Sequence, residues 1–230
     1  MSTAWLTGAT GAWGGAFARA LLEAGYDVLA LGRRDALDLA ARAGELGRTW
    51  GFAELDLAAT FAFAELQAAV GGMAPGPLRG VPDVLLHAAV SIDGDRAALM
   101  ATDYLAPATL VDGVSKAMLE RGSGRIGVLV PQNARLGLAG LADLAASQAA
   151  LWTWCEARRG ELEGVAGGVT LTVVIPPRTA SATQRYVAHQ SGHSATLHPP
   201  DARGLLRGVH AGRRRVGRRP WLAAMAMLVR

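Results

Sequence analysis

Cysteine is almost absent from this sequence, which has Cys155 alone among 230 residues. A single cysteine excludes an internal disulfide and any zinc site built from several cysteines. Aromatic residues make up 6% of the chain and charged residues 18%. No apolar run approaches the roughly 20 residues that a membrane-spanning helix needs. We therefore expect a cytoplasmic protein with no signal peptide and no membrane partner, whose core consists of small and aliphatic side chains.

Short apolar runs alternate along the chain with longer segments of helical pattern. Strands are predicted at residues 3–7, 27–31, 49–53, 84–87, 125–130 and 169–175, and helices at 13–24, 36–43, 61–70, 97–120, 141–159 and 201–212. This alternation is typical of βα units that form a parallel sheet. The sequence thus predicts the α/β class: a doubly wound, Rossmann-like parallel sheet with helices on both faces, in one domain spanning residues 1–230.

A glycine-rich turn directly follows the first predicted strand. Gly8, Gly11 and Gly14 are spaced so that the strand ends in a tight turn and the first helix begins. Such a turn brings main-chain N–H groups at a helix N-terminus close to a pyrophosphate. A turn that is merely rich in small residues is the alternative. The predicted cofactor contacts in this segment are Gly8, Thr10, Gly11, Ala12, Trp13 and Gly14.

The end of the second predicted strand indicates which dinucleotide is bound. Arg33 and Arg34 stand where an acidic residue would accept hydrogen bonds from the ribose hydroxyls of NAD. Arginine pairs instead with a 2′-phosphate. The sequence therefore predicts NADP(H) as the cofactor, although two ordinary surface arginines would look the same.

Over about residues 3–180 the chain resembles the short-chain dehydrogenase/reductase superfamily, and its glycine spacing is closest to the extended and atypical branches. Further matches are Asp56-Leu57, the segment 83–89 at the fourth strand, Gly124-Arg125-Ile126, the segment 146–151 and the turn 174–177. The resemblance implies additional cofactor contacts from Asp56, Leu57, Ala88, Ala89, Val90, Gln148 and Pro176.

The family's catalytic residues are missing from the matching positions. Leu144 stands at the position of the catalytic tyrosine and Gln148 at that of the lysine, which lowers the tyrosine pKa in the family's enzymes. Pro131 replaces the serine, and Asp103 the asparagine of the preceding helix. The chain thus resembles atypical members that lack the Ser-Tyr-Lys residues.

Two functions remain open at this point. The first is an NADPH-dependent ketoreductase of specialised metabolism, acting in antibiotic biosynthesis on a polycyclic, angucyclinone-type polyketide. Such a hydroxy-ketone, or a water molecule, would supply the proton, with Ser91, Gln132 and Asn133 as candidate polar groups at the ketone. The second is a non-redox enzyme (cyclase, dehydratase or isomerase) or an NADP-binding regulatory module.

The last third of the chain carries the remaining predictions. Residues 178–200 are a candidate substrate lid, and their three histidines, His189, His193 and His198, lack the companion ligands that a metal site needs. The arginines at 213–219 fit the solvated end of a final strand, so no nucleic acid is expected. The apolar tail 220–229 is expected to pack on its own domain or on a second subunit, which leaves a homo-oligomer open.

Overall fold

A computed structural model describes residues 2–57, 76–92, 94–131, 134, 140–165, 168–177 and 201–217. The strands are β1 (Thr3–Thr7), β2 (Asp27–Gly32), β3 (Trp50–Glu54), β4 (Val84–His87), β5 (Gly124–Leu129), β6 (Val169–Ile175) and β7 (Arg215–Gly217). The helices are α1 (Ala12–Glu23), α2 (Leu37–Glu45), α3 (Arg96–Met100), α4 (Ala106–Arg121), α5 (Ala142–Glu163) and α6 (Arg203–His210). A 3₁₀ turn spans Gly76–Arg79, and a π-helical turn, Ala101–Leu105, joins α3 to α4.

The described strands form one parallel sheet in the order β3-β2-β1-β4-β5-β6-β7. Successive side chains of a strand point to opposite faces, so Leu85 and Leu86 of β4 belong to two different cores. Leu85 packs in the core that contains Val111 of α4 and Leu151 of α5. Leu86 packs in the core that contains Phe17 of α1 and, from α6, Val209. Helices cover both faces, and the predicted doubly wound α/β class is confirmed.

The order of the strands fixes where a ligand fits. From β1 the chain builds outward through β2 to β3, then returns to the other side of β1 with β4. The connections leaving β1 and β4 therefore diverge and leave a crevice at the carboxyl ends of these strands. Ligands of doubly wound folds bind in such crevices.

One feature of the fold differs from the sequence prediction. The helix predicted at 97–120 contains the π-helical turn, an irregularity that hydrophobic periodicity does not predict. The Arg-rich segment forms the final strand, β7, at Arg215–Gly217, in agreement with the sequence prediction. The predicted helix 61–70, the candidate lid 178–200 and the tail 220–229 lie outside the described residues.

Strand β7 is attached to helix α5 by charged side chains. Arg215 donates to Glu156 through Nε at 3.1 Å, and its guanidinium lies 5.4 Å from the ring centroid of Trp152. Glu156 also accepts from Arg159 at 2.8 Å. Burial alone would raise the pKa of Glu156, but the two arginines lower it to about 2. These arginines therefore stabilise the fold at the edge of the sheet.

In the described part of the chain, no helix combines the length and apolar character needed to cross a bilayer.

Candidate active site

The turn after β1 has a shape that only glycine permits at two positions. Gly8 has φ +74°, and a Cβ there would lie 2.6 Å from the main-chain nitrogen of Ala89. A Cβ on Gly14 would overlap the carbonyl oxygen of Gly8. Gly11 closes the turn by donating its N–H to the same oxygen at 2.9 Å. Because glycine has no side chain, the main chains of β1, the loop after β4 and the first turn of α1 are in direct contact.

Helix α1 begins without the usual capping groups. Its N-cap residue, Gly11, has no side chain to accept from the first N–H groups, and the first turn carries no acidic residue. The N-terminal N–H groups and the helix dipole are therefore available to an external anion. Trp13 does not block this end of the helix: it is 6% exposed and packs on Phe17 with ring centroids 6.2 Å apart.

A single hydroxyl holds the β1 and β4 ends of the crevice together. Thr7 Oγ1 accepts hydrogen bonds from the N–H groups of Ala88 at 3.1 Å and Ala89 at 3.3 Å. With both acceptor positions used, its hydrogen is left to donate to His87 Nδ1 at 2.9 Å. Burial lowers the pKa of His87 to about 4. His87 is therefore a neutral, structural histidine at pH 7.

We expect Thr7→Val to destabilise the protein by about 2–4 kcal/mol, because the isosteric change leaves the buried N–H of Ala88 and the part-buried N–H of Ala89 without this acceptor. Thr7→Ser, which keeps the hydroxyl and loses one methyl, is expected to cost about 1 kcal/mol. Urea unfolding followed by circular dichroism measures both. A smaller loss for Thr7→Val than for Thr7→Ser would show that the methyl, and not the hydroxyl, matters at this position.

A cavity of about 640 Å³ opens at the carboxyl ends of the strands. It is lined by most of the residues that the sequence predicts as cofactor contacts: Gly8, Thr10, Gly11, Ala12, Trp13, Arg33, Arg34, Asp56, Leu57, Ala88, Ala89, Val90 and Pro176. Two predicted contacts, Gly14 and Gln148, are not part of its wall. Gly14 packs directly against the main chain of the turn at Gly8. Gln148 is 2% exposed and hydrogen-bonds Asp103.

The arginines after β2 lie at the cavity with their charges available. Arg33 and Arg34 are exposed, line the cavity, and form no ion pair with any residue that the structure describes. The adjacent carboxylate is engaged elsewhere, since Asp35 Oδ1 accepts from Trp50 Nε1 at 2.9 Å and from Ala36 N at 2.7 Å. Two positive charges therefore face the cavity without an intramolecular partner among the described residues.

The other end of the cavity is apolar with a few hydroxyl groups. Ser91, predicted as a candidate catalytic residue, lines this end together with Pro131 and Leu129. Thr102 lines it as well, and sequence reasoning missed this residue although it directly precedes Asp103. The π-helical turn sets the direction of Thr102, and no periodic pattern predicts that turn. The candidates Gln132 and Asn133 lie outside the described residues.

The residues that the sequence matches to the family's catalytic positions are buried in the structure. Leu144 is 4% exposed and clusters with Leu99 and Leu141. Pro131 is buried, and Gln148 carries no titratable proton. Asp103 is the one ionisable side chain among these positions, and it is 1% exposed.

Comparisons with known proteins agree with this architecture. The family model for short chain dehydrogenases matches residues 2–192. No curated protein matches the sequence. A short-chain dehydrogenase from Sphingobium yanoikuyae in complex with NADPH has a TM-score of 0.77 at 19% identity, covering 94% of this chain and 87% of that one.

Two further solved structures share the fold. A single-residue variant of actinorhodin polyketide ketoreductase with NADPH has a TM-score of 0.69 at 22% identity, over 99% of this chain and 89% of that one. A 3-oxoacyl (acyl-carrier-protein) reductase from Agrobacterium tumefaciens with NADP bound has a TM-score of 0.70 at 20% identity, over 83% and 75%.

Proposed function

Because this chain belongs to the short-chain dehydrogenase family, we propose that it is an NADPH-dependent ketoreductase that works without the family's tyrosine and lysine. The observation that carries the proposal is the combination of a glycine-rich dinucleotide cradle with a substrate end whose described wall, formed by residues such as Ser91 and Thr102, contains no acidic side chain. When bound, NADPH supplies the hydride that reduces the ketone carbon. The chain's own contribution is to hold cofactor and ketone in contact, which is a positioning effect.

Three features of the cradle fit NADPH. Gly8 and Gly14 permit the close main-chain contacts of the turn that leads from β1 into α1 at the cavity. The uncapped N-terminus of α1 offers N–H groups to that pyrophosphate. Arg33 and Arg34, which form no ion pair with a described residue, supply positive charge for the 2′-phosphate. The solved structures with NADP or NADPH bound support the same choice of cofactor.

The substrate end supports a neutral hydroxy-ketone. Its described wall consists of Ser91, Thr102 and apolar residues such as Leu129 and Pro131, with no charged side chain among them. Ser91 is positioned to orient the carbonyl, and Gln132 and Asn133 remain candidates for the same role. In this proposal a hydroxyl of the substrate, or a water molecule, protonates the ketone oxygen. A polycyclic, angucyclinone-type polyketide carries such hydroxyls, and the fold shared with a polyketide ketoreductase supports this class.

The proton source is tested with a matched pair of polycyclic ketones, one with a free hydroxyl next to the carbonyl and one with that hydroxyl methylated. Because a general acid is worth about 10²–10⁴-fold, we expect the free hydroxy-ketone to be reduced more than tenfold faster, measured as NADPH oxidation at 340 nm. Gln148→Ala is expected to lower kcat less than tenfold. Equal rates for the two ketones, or loss of turnover in Gln148→Ala with NADPH binding intact, would contradict a substrate-supplied proton.

One observation favours the second candidate, a non-redox enzyme or a regulatory module. The positions of the lost tyrosine and lysine have been absorbed into structural contacts, Leu144 with Leu99 and Gln148 with Asp103. A chain that binds NADPH yet transfers no hydride to any ketone of the series would support this candidate over the ketoreductase.

A further inference from the structure

A buried carboxyl group lies directly behind the substrate end of the cavity. Asp103 belongs to the π-helical turn, is 1% exposed, and follows Thr102, which lines the cavity. Its Oδ1 accepts the main-chain N–H of Ser91 at 2.7 Å. This hydrogen bond joins the π-helical turn to the loop after β4 at Ser91, which lines the cavity.

The second oxygen of this carboxyl contacts helix α5. Asp103 Oδ2 lies 3.3 Å from Ser147 Oγ, which also lies 3.0 Å from the carbonyl oxygen of Leu144. Ser147 has one hydroxyl hydrogen and two acceptors within reach. When it donates to the carbonyl of Leu144, its oxygen is able to accept a hydrogen bond from a protonated Oδ2 of Asp103. Gln148 also hydrogen-bonds Asp103, and within the described residues its Oε1 has no partner. An amide provides both donor and acceptor, so α5 is able to stabilise Asp103 with or without its proton.

Burial and neutral hydrogen-bond partners set the protonation of Asp103. Burial raises its pKa to about 6, and the hydrogen bonds from Ser91, Gln148 and Ser147 oppose that rise. Among the described residues, these three are the polar groups that hydrogen-bond it. The nearby charges of the packed elements are engaged at the surface, where Arg96 of α3 pairs with Asp143 of α5 at 2.8 Å. The similar pair between α4 and α5 joins Asp112 to Arg158 at 3.0 Å.

We propose that Asp103 is a positioning residue that fixes the Ser91 segment at the substrate end of the cavity, and that its carboxylate form holds this segment more firmly than its protonated form. The inference rests on the proposed ketoreductase function. It identifies Asp103 as the residue that supports the part of the site where substrate specificity is determined. Charge-assisted hydrogen bonds are about twice as strong as neutral ones, so a proton on Asp103 loosens its hold on the Ser91 N–H. Substrate affinity should therefore fall as the pH drops through about 6.

The kinetic test compares Asp103→Asn and Asp103→Ala with the wild type in steady-state ketone reduction between pH 5 and 8. The wild-type KM for the ketone is expected to rise below pH 6. Asp103→Asn, whose amide oxygen still accepts from Ser91, should show a KM raised about threefold at pH 8 and flat with pH. Asp103→Ala should raise KM about tenfold or more at all pH values, with a smaller change in kcat. The control is Asp143→Asn, an exposed carboxylate of the same helix pair, which should keep the wild-type profile.

A second measurement needs no substrate and separates this inference from the proposed function. Hydrogen exchange at the Ser91 amide, followed by NMR at pH 7, should be slow in the wild type, faster in Asp103→Asn, and faster still, by tenfold or more, in Asp103→Ala. Wild-type protection in the Asn or Ala variant, or a KM inflection near pH 6 that survives in Asp103→Asn, would overturn the inference. If the wild type reduces no ketone, the exchange result alone decides it, and the failure belongs to the proposed function. If Asp103→Ala does not fold, Asp103→Asn carries both measurements.

Discussion

Gly14→Ala is expected to abolish NADPH binding, raising the Kd by at least a hundredfold. The added Cβ would overlap the carbonyl oxygen of Gly8 and lie 3.0 Å from the main-chain nitrogen of Ala9. These are main-chain atoms of a tight turn, which cannot rotate away as a flexible side chain would. The turn must therefore open, and the N–H groups at the start of α1 lose their placement against the pyrophosphate. Fluorescence titration with NADPH measures the loss.

Gly15→Ala is the matched control for this prediction. The neighbouring position is also inside α1, but a Cβ there meets its nearest atoms at 3.4 Å, an ordinary contact distance. Alanine is a better helix former than glycine by about 1 kcal/mol, so Gly15→Ala should bind NADPH normally and unfold at the same or a higher temperature. A Gly14→Ala protein that binds NADPH as tightly as Gly15→Ala would show that the turn does not hold the cofactor.

The double variant Arg33→Ala/Arg34→Ala is expected to remove the preference for NADPH over NADH. Both guanidinium groups face the cavity without an ion-pair partner among the described residues. Each charge-assisted contact to a phosphate is worth about 1–2 kcal/mol at an exposed site, so losing two of them should raise the Kd for NADPH about 30- to 1,000-fold. The Kd for NADH, which lacks the 2′-phosphate, should change less than threefold. Parallel titrations with the two nucleotides measure this difference.

Arg207→Ala is the control, because it removes one positive charge, as each of the two substitutions at the cavity does. Arg207 is exposed on α6 and does not line the cavity. If it weakened NADPH binding by half the free energy that the double variant loses, the effect would reflect the overall charge of the protein, and the proposed phosphate site would be wrong. Equal losses for NADPH and NADH in the double variant would lead to the same conclusion.

The fold and the cofactor cradle could be predicted from the sequence because they depend on local signals. Strands such as Val169–Ile175 are short runs of apolar and β-branched residues, and the glycines at 8, 11 and 14 mark a turn whose geometry few other residues permit. The ends of parallel strands meet at one edge of the sheet, so residues after β1, β2, β3 and β4 were expected to converge. Arg33, Asp56 and Ala89 do line one cavity.

The substrate end was harder to predict, since its geometry depends on contacts between distant segments. Asp103 meets Ser91 across 12 residues and Ser147 across 44 residues of the chain. The π-helical turn that places Asp103 and Thr102 has no sequence pattern of its own. The resemblance predicts that Gln148 contacts the cofactor, whereas the structure shows it buried and hydrogen-bonded to Asp103, a contact between distant segments.

The central claim is that this chain binds NADPH without using the family's catalytic acid. Its most direct test is a titration of the wild-type protein with NADPH. Fluorescence of the reduced nicotinamide reports binding at pH 7 without any assumption about the substrate. Saturable binding with one site per chain, in the micromolar range and tighter than for NADH, is the predicted result. Failure to saturate at millimolar NADPH would contradict the account.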